Sequence, residues 1–303
     1  MLRRLLLYLS TAEWVRGLVL HWGPARRAAR RFVAGETRSD ALGVIRSLNA
    51  QGLQVTLDYL GESVARAEDT VDAVDTYSAV AQAIKDEGLQ AGLSLKLTHL
   101  GLDIDRALCE RNLRAILTAA APLPVTIDME SSDYTDVTLA IYRDVRSEFP
   151  HLGTVIQAYL HRSTDDMRAL AAAGARIRLC KGAYLEPPDI AYPDKKDVDS
   201  SFIRLMSDFL LHGTPESCLE IATHDENMIA AAEALIRQQR IAPARYEFQM
   251  LYGIRSARQN ELAASHKMRV YVPFGAAWYP YFMRRLAERP ANLGFFLRAF
   301  FGG

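Results

Sequence analysis

From residue 55 onward, short runs of strand-forming residues alternate with longer runs whose apolar residues recur at helical spacing. The strand candidates are Val55–Gly61, Gly92–His99, Pro124–Glu130, Gly153–Tyr159, Ala175–Gly182, Cys218–Thr223, Arg245–Leu251 and Met268–Phe274. Segments such as Ala65–Lys85, Arg106–Ala120, Asp136–Ser147 and Glu226–Arg240 lie between them as helices. Eight strands, each followed by a helix, predict a (β/α)8 barrel. The competing arrangement is an open doubly wound sheet, which carries a glycine-rich phosphate turn after its first strand. The Gly61-Glu-Ser-Val stretch here is not such a turn.

Alternation within the strands adds a second constraint. In Leu93-Ser-Leu-Lys-Leu-Thr98 one parity is leucine and the other is Ser94, Lys96 and Thr98. The polar parity elsewhere holds Thr126, Asp128 and Glu130, then Arg176 and Arg178, then Glu247 and Gln249. Barrel strands turn their apolar parity outward to the helices, so these polar side chains point inward. Barrel interiors are usually packed with branched apolar residues. One lined by Lys96, Asp128, Gln157, Arg178 and Gln249 is expected to hold a large polar ligand at its mouth.

Two segments fall outside the eight units. Residues 1–50 read as an N-terminal helical arm (Thr11–Leu20, Gly23–Val33, Asp40–Ala50), with the barrel occupying residues 51–303. Between Gly182 and Ser200 runs a Pro-rich loop at the end of the fifth strand, where active-site lids sit in this architecture. Acidic and basic residues balance at 36 each, which argues against a general nucleic-acid binder. Residues 1–31 nevertheless carry seven Arg against one Glu. Cys109, Cys180 and Cys218 are too scattered for a disulfide framework or a zinc site, which points to a reducing cytoplasm. No apolar stretch approaches the roughly 20 residues of a membrane span. The first ten residues resemble a signal peptide in their Arg and Leu content, but Glu13, Arg16 and Arg26 follow without a small-residue cleavage site.

Several residues could carry chemistry. A lysine inside a barrel needs a counter-charge, so Lys96 implies either a carboxylate such as Asp128 or a bound anion. Asp128 and Glu130 have no His at metal-ligand spacing, and His224 is isolated, so no metal site is expected. Arg178-Leu-Cys-Lys-Gly-Ala-Tyr184 brings two cations and a glycine to the end of the fifth strand, where Gly182 would let backbone N–H groups approach a ligand. Thr223 and His224 end the sixth strand as hydrogen-bonding groups or as caps of the next helix. Cys180 has inward parity but no Cys/His/Asn constellation around it. Near the C-terminus, Tyr281, Arg284, Arg285 and Glu288 recur three and four apart on a helix that follows the last strand. Twin guanidinium groups suit an acidic ligand, or else form part of a solvated face.

The run from Arg269 to Asn292 resembles the C-terminal signature of the proline dehydrogenases. Supporting segments are Gly35-Glu-Thr, Thr56-Leu-Asp-Tyr-Leu-Gly-Glu62, Ser94-Leu-Lys96, Arg178-Leu-Cys-Lys-Gly-Ala-Tyr184, Ala222-Thr-His224 and Phe248-Gln-Met-Leu-Tyr-Gly-Ile-Arg255. The resemblance implies a distorted (β/α)8 barrel with non-covalent FAD. It also implies oxidation of L-proline to Δ1-pyrroline-5-carboxylate, with electrons passed to a membrane quinone. By the same resemblance Arg284, Arg285 and Lys96 would clamp the proline carboxylate, and Asp128 and Arg178 match the family's catalytic residues. Met129, Gln157, Arg178, Lys181, Gly182, Ala183, Thr223 and His224 match its flavin contacts. Tyr184, Leu251, Tyr271 and Tyr281 would wall the substrate pocket, with Glu288 pairing to a pocket Arg.

The basic arm, with Leu5–Leu7, Leu18, Leu20 and Trp22 beside its Arg, admits two readings. It is either an amphipathic helix at the inner face of the cell membrane or helices packed on the barrel with solvated Arg. Two other functions stay open: a barrel aldolase using Lys96 as nucleophile, and a non-catalytic barrel that binds an acidic metabolite.

Overall fold

The computed structural model describes residues 30–288, and among these the side chains of residues 284–288 lie outside the description. Eight parallel strands close into a barrel in the order β1 through β8. They are β1 (Gln54–Tyr59), β2 (Ala91–Leu95), β3 (Val125–Ile127), β4 (Leu152–Gln157), β5 (Arg176–Cys180), β6 (Cys218–Ala222), β7 (Tyr246–Leu251) and β8 (Met268–Phe274). The helices are α1 (Arg38–Asn49), α2 (Asp69–Asp86), α3 (Arg106–Ala120), α4 (Thr135–Arg146), α5 (Ser163–Ala172), α6 (Lys195–His212), α7 (Glu226–Gln239), α8 (Ser256–Ala263) and α9 (Trp278–Glu288). The predicted (β/α)8 barrel is thus the observed fold.

Parity explains the packing. Leu93, Leu95, Val125, Ile127, Ile177, Leu179, Phe248 and Met250 are buried in one continuous apolar core that they share with the helices. At roughly 25 cal/mol per Å² of apolar surface removed from water, this outer layer is the main source of stability. Local signals set the helix starts. Thr37 and Asp40 form a capping box at the head of α1, Asp105 accepts from Leu108 N at α3, and Asp225 accepts from Asn227 N at α7.

Several strands are shorter at their carboxyl ends than the sequence suggests. Lys96 falls one residue beyond β2, because the chain turns into a 3-10 segment over Thr98–Leu100 that Gly101 ends in a left-handed conformation. Met129 and Glu130 follow β3, Lys181 and Gly182 follow β5, and Thr223 follows β6. The polar parity runs on past the last ladder bond, so alternation alone overestimates the strand.

The predicted helix Asp40–Ala50 appears as α1, which packs on β1 and β8. The predicted helix Thr11–Leu20 lies outside the described residues, as does most of Gly23–Val33. The described end of the latter, residues 30–33, is turn and bend instead. Tertiary contacts account for this: Phe32 packs on Phe282 at 6.1 Å between ring centroids, and Ala34 N donates to Pro273 O at 2.8 Å. Glu36 accepts from Trp278 Nε1 at 3.2 Å, which ties this segment to the head of α9.

Candidate active site

The carboxyl ends of the strands hold a connected set of charged side chains. Arg178, on β5, is 5% exposed and donates from Nη1 to Asp128 at 2.6 Å and to Ser94 Oγ at 2.9 Å. Its Nε donates to Gln249 Oε1 at 2.7 Å. Its Nη2 is buried and has no hydrogen-bond partner among the described residues. Asp128 also accepts from Tyr271 OH at 2.7 Å and from Ser94 Oγ at 2.8 Å. The Arg178 guanidinium lies 5.3 Å from the Tyr271 ring centroid, a cation–π contact. Burial alone would lower the pKa of Arg178, but Asp128 and Glu220 outweigh it and raise the value. Burial, then Asp128, push the Tyr271 hydroxyl well above its ordinary pKa, so it stays a donor.

Lys96 pairs with Asp58 at 3.5 Å, not with Asp128, which Arg178 occupies. Asp58 is 1% exposed, and burial raises its pKa while Lys96 opposes the shift. Lys96 thus faces a buried carboxylate of β1 across the barrel mouth. Thr98 donates to Glu130 from Oγ1 at 2.7 Å and from its backbone N at 3.3 Å, and Gln157 Nε2 donates to Glu130 O at 2.8 Å.

Not all of the inward polar parity faces the mouth. Deeper in the barrel Arg269 Nε donates to Glu247 at 2.6 Å, Arg176 pairs with Glu247 and with Glu220, and Gln249 Nε2 reaches Glu220 at 2.5 Å. This lower layer is ion-paired within itself, with Arg176 Nη2 3.0 Å from Glu247, whereas Arg178 and Asp128 stand nearer the mouth.

The segment after β5 runs close against the ring of Tyr159. Gly182 has φ +111°, and a Cβ there would lie 2.3 Å from the Tyr159 ring. Lys181 Nζ donates to Asp199 at 2.5 Å and to Asp225 at 2.7 Å, which joins the strand end to α6 and α7. The His224 ring accepts from Leu251 N through Nε2 at 3.2 Å, which puts its proton on Nδ1. Its carbonyl accepts from Arg255 at 2.6 Å. Met129, Ala183, Thr223, Tyr184 and Leu251 also stand at or just past strand ends, whereas Tyr281 is buried on α9. The twin Arg284 and Arg285 lie in α9 with Glu288, but their side chains are outside the described residues. The Pro-rich loop is tied down rather than open: Leu160 and Ala191 form an antiparallel bridge, and Glu186 accepts from Ser132 N at 2.8 Å.

His99 adds a pH-dependent element at this mouth. Burial, then the charge of Lys96, depress its pKa to about 4 against the opposing pull of Asp72 and Glu62. Below its ordinary pKa near 6.5 the unfolded chain takes up a proton that the folded chain refuses until about pH 4. Stability is therefore lost as pH falls through that window. His99→Gln should remove about 2 kcal/mol of the parent's stability loss between pH 7 and pH 5. Urea unfolding at both pH values measures it, and equal losses in parent and variant would rule the linkage out.

Residues that sequence reasoning passed over include Asp58, Glu220 and Arg269 as charge partners. Each lies on the inward parity of its strand, but parity does not say which residue on another strand it pairs with.

A sequence profile of the proline dehydrogenase family matches residues 41–298. Proline dehydrogenase 1 of Bacillus subtilis (strain 168) is 44% identical over 301 residues, covering 98% of both chains. Proline dehydrogenase of Deinococcus radiodurans is 38% identical over 283 residues, 91% of this chain and 90% of that one. Among solved structures, proline utilization A from Bdellovibrio bacteriovorus, inactivated by N-propargylglycine, superposes with a TM-score of 0.79 at 23% identity, a likeness of fold. The match covers 86% of this chain and 32% of that one. With the family profile and the full-length relatives agreeing, the chain belongs to the proline dehydrogenase family.

Proposed function

We propose that this proline dehydrogenase oxidises L-proline to Δ1-pyrroline-5-carboxylate with FAD and passes the electrons to a quinone. The observation that carries the reading is Arg178, a buried cation near the strand ends whose Nη2 has no hydrogen-bond partner among the described residues. That donor fits a hydrogen-bonding ligand laid across the strand ends. A bound flavin would supply the acceptor for the hydride.

In the reaction the ring carbon next to nitrogen gives up hydrogen with its electron pair, the nitrogen lone pair forms the C=N bond, and the N–H proton leaves to solvent. No nucleophile is required. The protein's task is to hold the carboxylate, orient the ring carbon and exclude water. We assign carboxylate binding to Lys96, Arg284 and Arg285, because cations matched to an anion in a closed site both bind and orient it. Asp128 orients Arg178 and takes the Tyr271 hydroxyl, which fixes one wall of the pocket; Tyr184, Leu251 and Tyr281 supply the others, with Glu288 pairing to an arginine. Flavin contacts fall to Met129, Gln157, Arg178, Gly182, Ala183, Thr223 and His224. Lys181 joins them through the donor left over from its two carboxylates. Membrane association through the basic arm belongs to the same proposal. Among the described residues no helix is long and apolar enough to cross a membrane.

The deciding experiment is a visible spectrum of the purified protein before and after anaerobic addition of L-proline. Yellow flavin bands that bleach with proline are expected. A colourless protein that stays inactive after FAD is added would defeat the proposal, and a borohydride-trappable adduct on Lys96 would replace it with the aldolase reading.

A further inference from the structure

We propose that Glu220 is a positioning residue for Arg178, acting through Gln249, and that its charge sets the electrostatic balance beneath the proposed flavin site. The inference rests on that reading of the site.

Glu220 lies mid-strand in β6 between Leu219 and Ile221, and only 2% of it is exposed. It is the register partner of Arg178 across the β5–β6 ladder. Its carboxylate accepts from Arg176 Nε and from Gln249 Nε2, the latter at 2.5 Å, and lies 3.4 Å from Arg178 Nε. The Gln249 amide donates to two carboxylates, Glu220 and Glu247 at 2.7 Å, so its oxygen must face the other way. That oxygen accepts from Arg178 Nε at 2.7 Å. With Nη1 held by Asp128 and Ser94, the guanidinium plane is fixed at two edges and presents at the third its buried Nη2, which has no partner among the described residues. Without an acceptor at Glu220, half of the reason for the amide's orientation disappears, and with it one of the two edges.

The second consequence is charge. Arg176, Arg178 and Arg269 are joined through this network to Glu220, Glu247 and Asp128, three cations to three anions. Neutralising Glu220 leaves three against two. A flavin above this layer gains negative charge on reduction more readily over a net positive interior, so its midpoint potential should rise. A residue that serves packing alone would leave that potential where it is, which separates the two roles.

The test uses the flavin-loaded protein and dye-equilibrated potentiometry, with two variants. Glu220→Gln keeps the shape and removes the charge. Its potential should rise by about 30 mV, a tenfold change in the two-electron equilibrium. Glu220→Asp keeps the charge but withdraws it by one methylene from Gln249. Its potential should stay near the parent's while anaerobic flavin bleaching at saturating proline slows at least about tenfold. The proline concentration for half-maximal bleaching should change by less than about threefold, since Glu220 is not among the groups assigned to the carboxylate. An unchanged or lower potential in Glu220→Gln overturns the charge role, and an unchanged bleaching rate in Glu220→Asp overturns the positioning role. If Glu220→Gln fails to fold, the Asp variant still decides the positioning role, and Glu247→Gln, which leaves the same three cations against two anions, decides the charge role: an unchanged potential there overturns it. A parent protein that holds no flavin overturns both this inference and the reading beneath it; a flavin-bearing parent with silent variants overturns the inference only.

Discussion

Arg178→Met is expected to lower proline turnover by at least two to three orders of magnitude, the size of effect seen when a preorganised charged donor is removed from a site. The reasoning is electrostatic. Methionine fills much of the same volume but leaves Asp128 and Glu220 without their shared cation, and Glu220 is only 2% exposed. Breaking a buried pair from one side costs about 3–5 kcal/mol. For a chain of this size that amounts to a fall in melting temperature on the order of 10 °C. Steady-state kinetics and thermal unfolding should therefore both move. Retained turnover within tenfold of the parent would show that Arg178 is structural, and an unchanged melting temperature would show that the network rearranges without cost.

Gly182→Ala is the second large effect. The substitution adds one carbon, yet that carbon would sit 2.3 Å from Tyr159 Cδ1, at a backbone angle of φ +111° that L side chains rarely adopt. Backbone strain of this kind costs about 1–3 kcal/mol, and the overlap must be relieved by moving the segment after β5 or the Tyr159 ring. Either movement displaces the Lys181–Gly182 segment to which the flavin contacts are assigned. The variant is expected to purify with less than about a tenth of the parent's flavin content. Gly88→Ala is the control: its φ of +63° is also positive, but nothing lies within 4 Å of the new carbon. It should cost about 1 kcal/mol and leave flavin content intact. Equal flavin loss in both variants, or none in Gly182→Ala, would remove Gly182 from the site.

Much of this arrangement is legible in the chain, and for identifiable reasons. The bounds of β8 and α3 coincide with the predicted Met268–Phe274 and Arg106–Ala120, because both are strongly periodic and stop at Gly275 and near Pro122. Parity places Ser94, Arg178 and Gln249 inside the barrel, since burying the leucines on the opposite face leaves them no other direction. What alternation does not contain is pairing between strands. Lys96 takes Asp58 and Arg178 takes Asp128 because of register across the closed sheet, and register depends on residues dozens of positions away. The same limit hides Glu220, a single acid in an apolar strand whose partners all lie on other strands. The strand ends are the other loss: a polar residue continues the alternation whether or not a neighbouring chain is there to bond it.

The β1–β8 ladder has a consequence for how the molecule comes to exist. It joins Gln54–Tyr59 to Met268–Phe274, and the Arg269–Gln54 side-chain bond that accompanies it spans 215 residues. Contacts so distant in sequence carry a large loop-closure entropy and form slowly. That same closing strand delivers the Tyr271 hydroxyl to Asp128. An unclosed chain can gather Asp128, Arg178 and Ser94, but it has no finished pocket. A ligand that touches the strand ends on both sides of the seam would therefore act as a clasp, holding together the last and most entropically expensive edge of the barrel.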